Sequence, residues 1–315
     1  METLATYPNP YLPVIRFLPV ILGLLTLPLT AQTFERADSL FQLEAYQESA
    51  EAYTAALATE TGDEYQLYSA ATAWALAGDS TQALNYLQQA AAGGYRHVDH
   101  LKRDGNLTML HKTAAWPPIV AATEANLAEY EKDYDHDLKD RLERIYLQDQ
   151  VIRQLWEDAE QRFGKGSEEM AYFWETINEQ DSLNELAVIE VIEERGWPAR
   201  SLVGDKANRT VWLVVQHADL ALQEKYLPLL RASVAEGESS GSDLALLEDR
   251  ILMYSDKPQL YGSQVRRNPE TGKLEVYEIA DPENVNQRRA EVGLGPLESY
   301  LARFGIDWSV PQSKQ

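Results

Sequence analysis

Shifted by 34 places, the stretch from residue 34 to about 94 lies over itself. Phe34 falls on Tyr68, Ala37 on Ala71, Leu40 on Trp74, Ser49 on Ala83, Tyr53 on Leu87 and Ala56 on Ala90. The first three pairs repeat aromatic, small and apolar along one helix; the last three repeat small, large and small along a second. Gly78-Asp79 turns the chain between the helices of the second copy, and Glu44-Ala45-Tyr46 takes that place in the first. A sequence with this period is committed to helical hairpins whose small residues let paired helices approach closely, because one such unit cannot bury its apolar face alone.

This pattern resembles the tetratricopeptide repeat, which implies another protein or a peptide as partner. Two copies are fewer than the three that usually stack unaided, so the residues that follow are expected to complete the module. Gly93-Gly94 ends a helix, and Trp116-Pro117-Pro118 opens another, where a missing N–H costs nothing. His97, His100 and His111 lie on separate short elements without a carboxylate at ligand spacing, so no metal is expected there.

Ahead of the repeats, Arg16 precedes the apolar run Phe17 to Pro28, and Ala31 offers a small residue for cleavage before Gln32. This reads as a signal peptide over residues 1–31, with the mature chain starting at Gln32 in the periplasm or outside the cell. The run is shorter than the roughly 20 residues of a membrane-spanning helix, and no membrane span is expected after cleavage. The absence of cysteine excludes disulfides and thiolate chemistry. Residues 32–130 carry 5 Lys/Arg against 13 Asp/Glu, and residues 131–315 carry 22 against 36. Both parts would repel nucleic acid, so a partner should be neutral, cationic or another protein.

The charged run Tyr130 to Asp140 marks the boundary between the repeat module, residues 32–130, and a second domain, residues 131–315. Read as a calcium loop from Asp133, it has Leu138 and Arg144 where Gly and Glu are required, so that reading fails. Asp137 is instead expected to cap a helix running from about Leu138 to Phe163, apolar at Leu142, Ile145, Tyr146, Ile152 and Leu155-Trp156, its stripe interrupted by Asp149, Gln150 and Arg153. After Gly164 to Ser167 another helix should reach Arg195, with Leu183, Leu186, Ala187 and Ile189 to Ile192 as its core face, and Gly196-Trp197-Pro198 should stop it. Val211, Val214, Val215 and Ala218 share one helical face; Asp219 can cap the next helix, which Pro228 should end or kink near Leu227. Ser242 or Asp243 should cap an apolar helix from Leu244 to Tyr254 that nonetheless carries Asp249 and Arg250. Gly262 to Ile279 reads as a hairpin turning at Asn268 to Gly272, and two short helices close the chain. The fold class expected is mainly α: helical-hairpin repeats, then a helical domain with one small β-hairpin.

Gly196-Trp197-Pro198, Val203-Gly204, Gln216-His217-Ala218-Asp219, Asp249-Arg250, Gln259 to Gln264 and Gly293 to Leu297 together resemble an uncharacterised bacterial domain of unknown function over about residues 145–300. That resemblance implies a fold unit and no activity. The chain shows no zinc helix, phosphate loop or dinucleotide fingerprint, and no cofactor is expected. What remains is polar chemistry placed beside apolar sequence. Gln216, His217, Asp249, Arg250 and Gln264 are expected to converge, since five separately buried polar groups would need five sets of partners. His217 is the candidate base, an acid such as Asp219 or Asp249 would orient it, and Arg250 is the group that stabilises negative charge; Gln216, Asp219, Tyr261 and Gln264 are candidate ligand contacts. Two readings follow: an exported binding or scaffolding protein, or a hydrolase or lyase centred on His217.

Overall fold

The computed structural model describes residues 33–310 and is mainly helical; the expected signal peptide lies outside the described residues. The chain divides into two compact units, one ending at Asp133 and the other beginning at Tyr134.

In the first unit α1 (Phe34–Gln42), α2 (Tyr46–Thr59), α3 (Glu64–Leu76) and α4 (Ser80–Ala92) pack in succession, followed by α5 (Val98–Arg103), a 3-10 turn (Gly105–Leu110) and α6 (Trp116–Tyr130). Ala37, Ala71, Ser49, Ala83, Ala56 and Ala90 are all buried, which is what close helix approach requires. The turns at Glu44 and Gly78 are alike: both take positive φ, and the next N–H returns to Leu40 O and to Trp74 O, each at 3.0 Å. These are helix-ending bonds that satisfy orphaned carbonyls, at a conformational cost for Glu44 that Gly78 avoids. The histidines serve as ring partners, His97 of Tyr65, His100 of Tyr95 and His111 of Trp116.

The second unit begins with α7 (His136–Gln154), α8 (Trp156–Phe163) and α9 (Glu168–Arg195), continues through α10 (Arg200–His217), α11 (Leu220–Ala235) and α12 (Gly241–Tyr254), and ends with the antiparallel strands β1 (Val265–Arg267) and β2 (Leu274–Val276), α13 (Val285–Glu291) and α14 (Leu297–Ala302). Its main core joins Leu142 and Ile145 of α7, Val188 and Val191 of α9, Val211 and Val215 of α10, Leu230 of α11 and Leu247 of α12. A smaller core of Val285, Leu297 and Leu301 sits under the hairpin. Asn268 Oδ1 accepts the N–H groups of Glu270 and Thr271, fixing the hairpin turn.

Several local expectations are corrected. The cap of α7 is Asp135, which accepts from Leu138 N at 3.0 Å, because Asp135 N is itself tied to Leu202 O and its carboxylate to Arg195. The expected single helix to Phe163 breaks at Leu155, where the tilted approach of Trp156 and Trp174, ring centroids 6.4 Å apart, sets α8 against α9. Leu155, Leu183 and Leu186 are exposed, while Val191 and Ile192 are buried as expected, and the core face of α9 runs through Ile177, Asn184, Val188, Val191 and Ile192. Pro228 lies inside α11 without ending it: it and Glu224, whose carbonyl it cannot bond, are exposed, so water can take that carbonyl. Ser240, not Ser242 or Asp243, holds the N-cap position of α12.

Asp243 is buried beside Arg209 at 3.5 Å. Burial pushes its pKa up to about 6, and the Arg209 charge offsets this only in part. Between the ordinary carboxylate value and about 6 the folded state therefore keeps a proton that the unfolded chain has released, and stability falls as pH rises through that window. The loss levels off about one unit above the folded value, at up to about 3 kcal/mol by linkage. Denaturant unfolding at pH 4, 5, 6 and 7 should show Asp243→Asn gaining on the parent protein across pH 4–7; parallel curves throughout would overturn the assignment.

Candidate functional site

The face Val211, Val214 and Val215 buries α10, and the helix stops where its sequence turns polar. Its last carbonyls have no helical partner, so side chains supply donors. Arg250 Nη1 donates to Gln216 O at 2.8 Å, and Gln223 Nε2 donates to Gln216 O at 3.3 Å and Ala218 O at 2.9 Å. A guanidinium there also meets the negative end of the helix dipole. Asp219 then caps α11, accepting from Leu222 N at 2.9 Å.

His217 turns the other way, towards α7 and α9. Its Nδ1 lies 3.2 Å from Asp149 Oδ1 and 3.3 Å from Arg153 Nη2. Asp149 continues the buried stripe Leu138, Leu142, Ile145 of α7, so its carboxylate points into the unit and is 2 % exposed. Gln150 Nε2 donates to its Oδ2 at 2.5 Å, while Arg153, one turn on, bridges it to Asp181. Burial by itself would raise Asp149, but the hydrogen bond from His217, the charges of His217 and Arg153, and Gln150 outweigh it and hold the carboxyl at about 2. Asn184 occupies the matching stripe position of α9 and is 2 % exposed. Its Oδ1 accepts from Gln180, and its Nδ2 is buried without a partner. These groups surround a cavity of about 10 Å³ lined by Asp149, Asp181, Asn184, Glu185, Val214, His217 and Ala218, about the space of one water. Burial, then the charges of Asp219 and Asp181, push Glu185 up.

Asp249 and Arg250 are neighbours on α12 with separate tasks. Asp249 is fully buried and takes three backbone donors of one loop: Leu260 N at 2.6 Å, Tyr261 N at 3.0 Å and Ser263 N at 2.9 Å. The other side of this loop is held by Gln259, whose amide donates to Gln264 O and Tyr277 O and accepts from Gln264 N. Arg288 donates to Leu260 O, buried Arg289 to Tyr261 O and Gly295 O, and Tyr300 to Ser263 O. The loop is thus clamped on both its N–H and its C=O edge.

Of the five residues expected to converge, Gln216 through its carbonyl, Arg250 and Gln264 meet, the last pair at a long 3.5 Å. Asp249 is committed to the loop, and His217 is paired instead with Asp149 and Arg153. Tyr261 contributes its backbone to the clamp, and its hydroxyl reaches Glu248 at 3.4 Å. The carboxylate paired with His217 is therefore Asp149 rather than Asp249 or Asp219, and the nearby guanidinium is that of Arg153. The sequence signal for both was the interruption of the α7 stripe by polar residues one helical turn apart. Among the described residues no cluster of three or more His, Asp or Glu side chains could hold a metal ion, and no helix is long and apolar enough to cross a membrane.

Comparisons with curated proteins and with solved structures gave no match. A match does come from the profile of a family of unknown function, DUF6624, over residues 136–308. That span begins with α7 and runs past α14, taking in the His217–Asp149 pair and the clamped loop. The chain belongs to this family.

Proposed function

We propose that this is an exported binding or scaffolding protein, in which residues 1–31 direct export to the periplasm or exterior, residues 32–130 are a tetratricopeptide-like module that holds another protein or a peptide, and residues 131–315 form the family domain. The observation that carries the reading is a cluster of rings on the module. Tyr68 and Tyr95 stack at 4.5 Å, Tyr65 and His97 close against Tyr95, and His100 continues the cluster into an open depression lined by Asp99, Arg103, Asp104 and Gly105. Tyr65 is 44 % exposed, and exposed aromatic side chains on a rigid scaffold are what binding sites are made of. Crosslinking the tagged full chain in an exporting bacterium should recover one partner on a protein whose mass begins at Gln32. The double variant Tyr65→Ala, His97→Ala should reduce that recovery about tenfold, the effect of roughly 1.4 kcal/mol, with the melting temperature kept. Equal recovery by parent and variant would overturn the reading.

A second reading, a hydrolase or lyase centred on His217, is supported by one specific observation: an imidazole at the end of α10 with a buried carboxylate 3.2 Å from its Nδ1. Such a pair leaves Nε2 as the proton acceptor. A screen of hydrolase and lyase substrates with parent and His217→Gln protein tests it, and no activity that differs between the two would defeat it.

A further inference from the structure

We propose that the cavity between α7, α9 and the end of α10 holds a single water that His217 deprotonates for attack on an uncharged or cationic ester or amide. This rests on the hydrolase or lyase reading and narrows it to hydrolysis. Three observations converge on it.

The first is the imidazole. Asp149 is held ionised and can only accept, while Arg153 already bonds Asp181 at 2.5 Å and can only donate. With Nδ1 at 3.2 Å from the carboxylate, the arrangement that satisfies Asp149 puts the proton on Nδ1. Nε2 then carries the lone pair, and it has no hydrogen-bond partner among the described residues. The second is Asn184, whose buried Nδ2 donates to nothing although the residue lines the same cavity. An unsatisfied buried donor is costly, and a water oxygen accepts from it while giving a proton to Nε2, which an ammonium group, having no lone pair, cannot do. The third is size and charge. The space of about 10 Å³ suits one water, and Asp149, Asp181, Glu185 and Asp219 outnumber Arg153 around His217, so an anionic substrate would be repelled.

The balance is that of simple hydrolysis. The water proton passes to Nε2 as the oxygen adds to the carbonyl carbon. The bond from that carbon to the alkoxy oxygen or amide nitrogen then breaks, its electron pair leaves with that atom, and the imidazolium returns the proton to it. His217 is the catalytic residue, and Asp149 is a positioning residue that fixes which nitrogen is free.

The test combines three measurements on the full chain. Nitrogen-15 spectra of the imidazole should show the Nδ1–H form, and Asp149→Asn should abolish that preference and lower kcat with little change in KM. A crystal structure should show a water within about 3 Å of His217 Nε2 and Asn184 Nδ2. 4-Nitrophenyl butyrate and lysine 4-nitroanilide should be hydrolysed and 4-nitrophenyl hemisuccinate spared, with turnover falling about 100-fold or more in His217→Gln. Asn184→Leu, which fills the cavity with an apolar group, should keep the melting temperature and lose both water and turnover. An Nε2–H imidazole overturns this inference and the general-base reading together. A correct Nδ1–H form with no water in the cavity, or with hydrolysis indifferent to His217→Gln, overturns hydrolysis alone and leaves a lyase.

Discussion

Replacing Asp249 with alanine is expected to destabilise the family domain by about 3–5 kcal/mol, the range for stripping one partner from a buried charged network. The loss comes chiefly from the groups left behind. Burial pushes Asp249 up, and the N–H bonds from Ser263, Tyr261 and Leu260 pull it back only in part, so the ionised carboxylate is not itself a large gain to the fold. Without it, three N–H groups of a packed loop have no acceptor, each worth roughly 1–3 kcal/mol when stranded. Arg289, 2 % exposed and held to Tyr261 O and Gly295 O, also loses a nearby negative charge. Thermal unfolding should show a fall of roughly 6–20 °C, at 2–4 °C per kcal/mol for a domain of this size, and hydrogen exchange should quicken at residues 260–263. A fall under 2 °C would mean that water replaces the carboxylate and that the clamp is not structural.

That residue shows where sequence reasoning stops. Asp249 inside an apolar helix was legible as a buried charge needing a partner, but not which partner, because a carboxylate is satisfied as well by backbone N–H groups as by an imidazole. The donors lie 11 to 14 residues downstream on a loop without regular structure, and no periodicity reports where such a loop goes. The helices were legible for the opposite reason: their apolar spacing, caps and glycines are local. Where local signals compete, tertiary contacts decide. Asp133, Asp135 and Asp137 alternate around the start of α7, and the bond from Asp135 N to Leu202 O selects the middle one as the cap.

The His217 site was half legible. His217 at the end of an apolar run is visible in one stretch of chain. Asp149 and Asn184 are visible only once α7 and α9 are known to face α10 through the stripes that contain them, since each stripe simply continues an apolar row with a polar residue. The apparent core face of α9 misled for the same reason: Leu183 and Leu186 are more apolar than Asn184, yet they are 61 % and 66 % exposed while Asn184 is buried. Hydrophobicity by itself ranks those positions in the wrong order, and the polar cavity beside α10 sets the right one.

Gly262→Ala should cost about 2–5 kcal/mol, from two separable causes. The residue sits in the clamped loop at φ +71, a left-handed conformation that costs an alanine about 1–2 kcal/mol. Its added methyl would also stand 2.8 Å from both Cδ atoms of Leu297 and 3.1 Å from Ile279 Cδ1. Leu297 is fully buried in the small core with Val285 and Leu301, so it cannot swing away without repacking, and overfilling of this kind costs roughly 1–3 kcal/mol. The double variant Gly262→Ala, Leu297→Ala separates the causes. If crowding dominates, the second change should cost less in the alanine background than in the parent, a coupling of about 1 kcal/mol or more by double-mutant cycle. If backbone strain dominates, the two losses should add. A single variant that melts with the parent would show that the loop can leave its left-handed turn, and the carboxylate of Asp249 could not then be holding it.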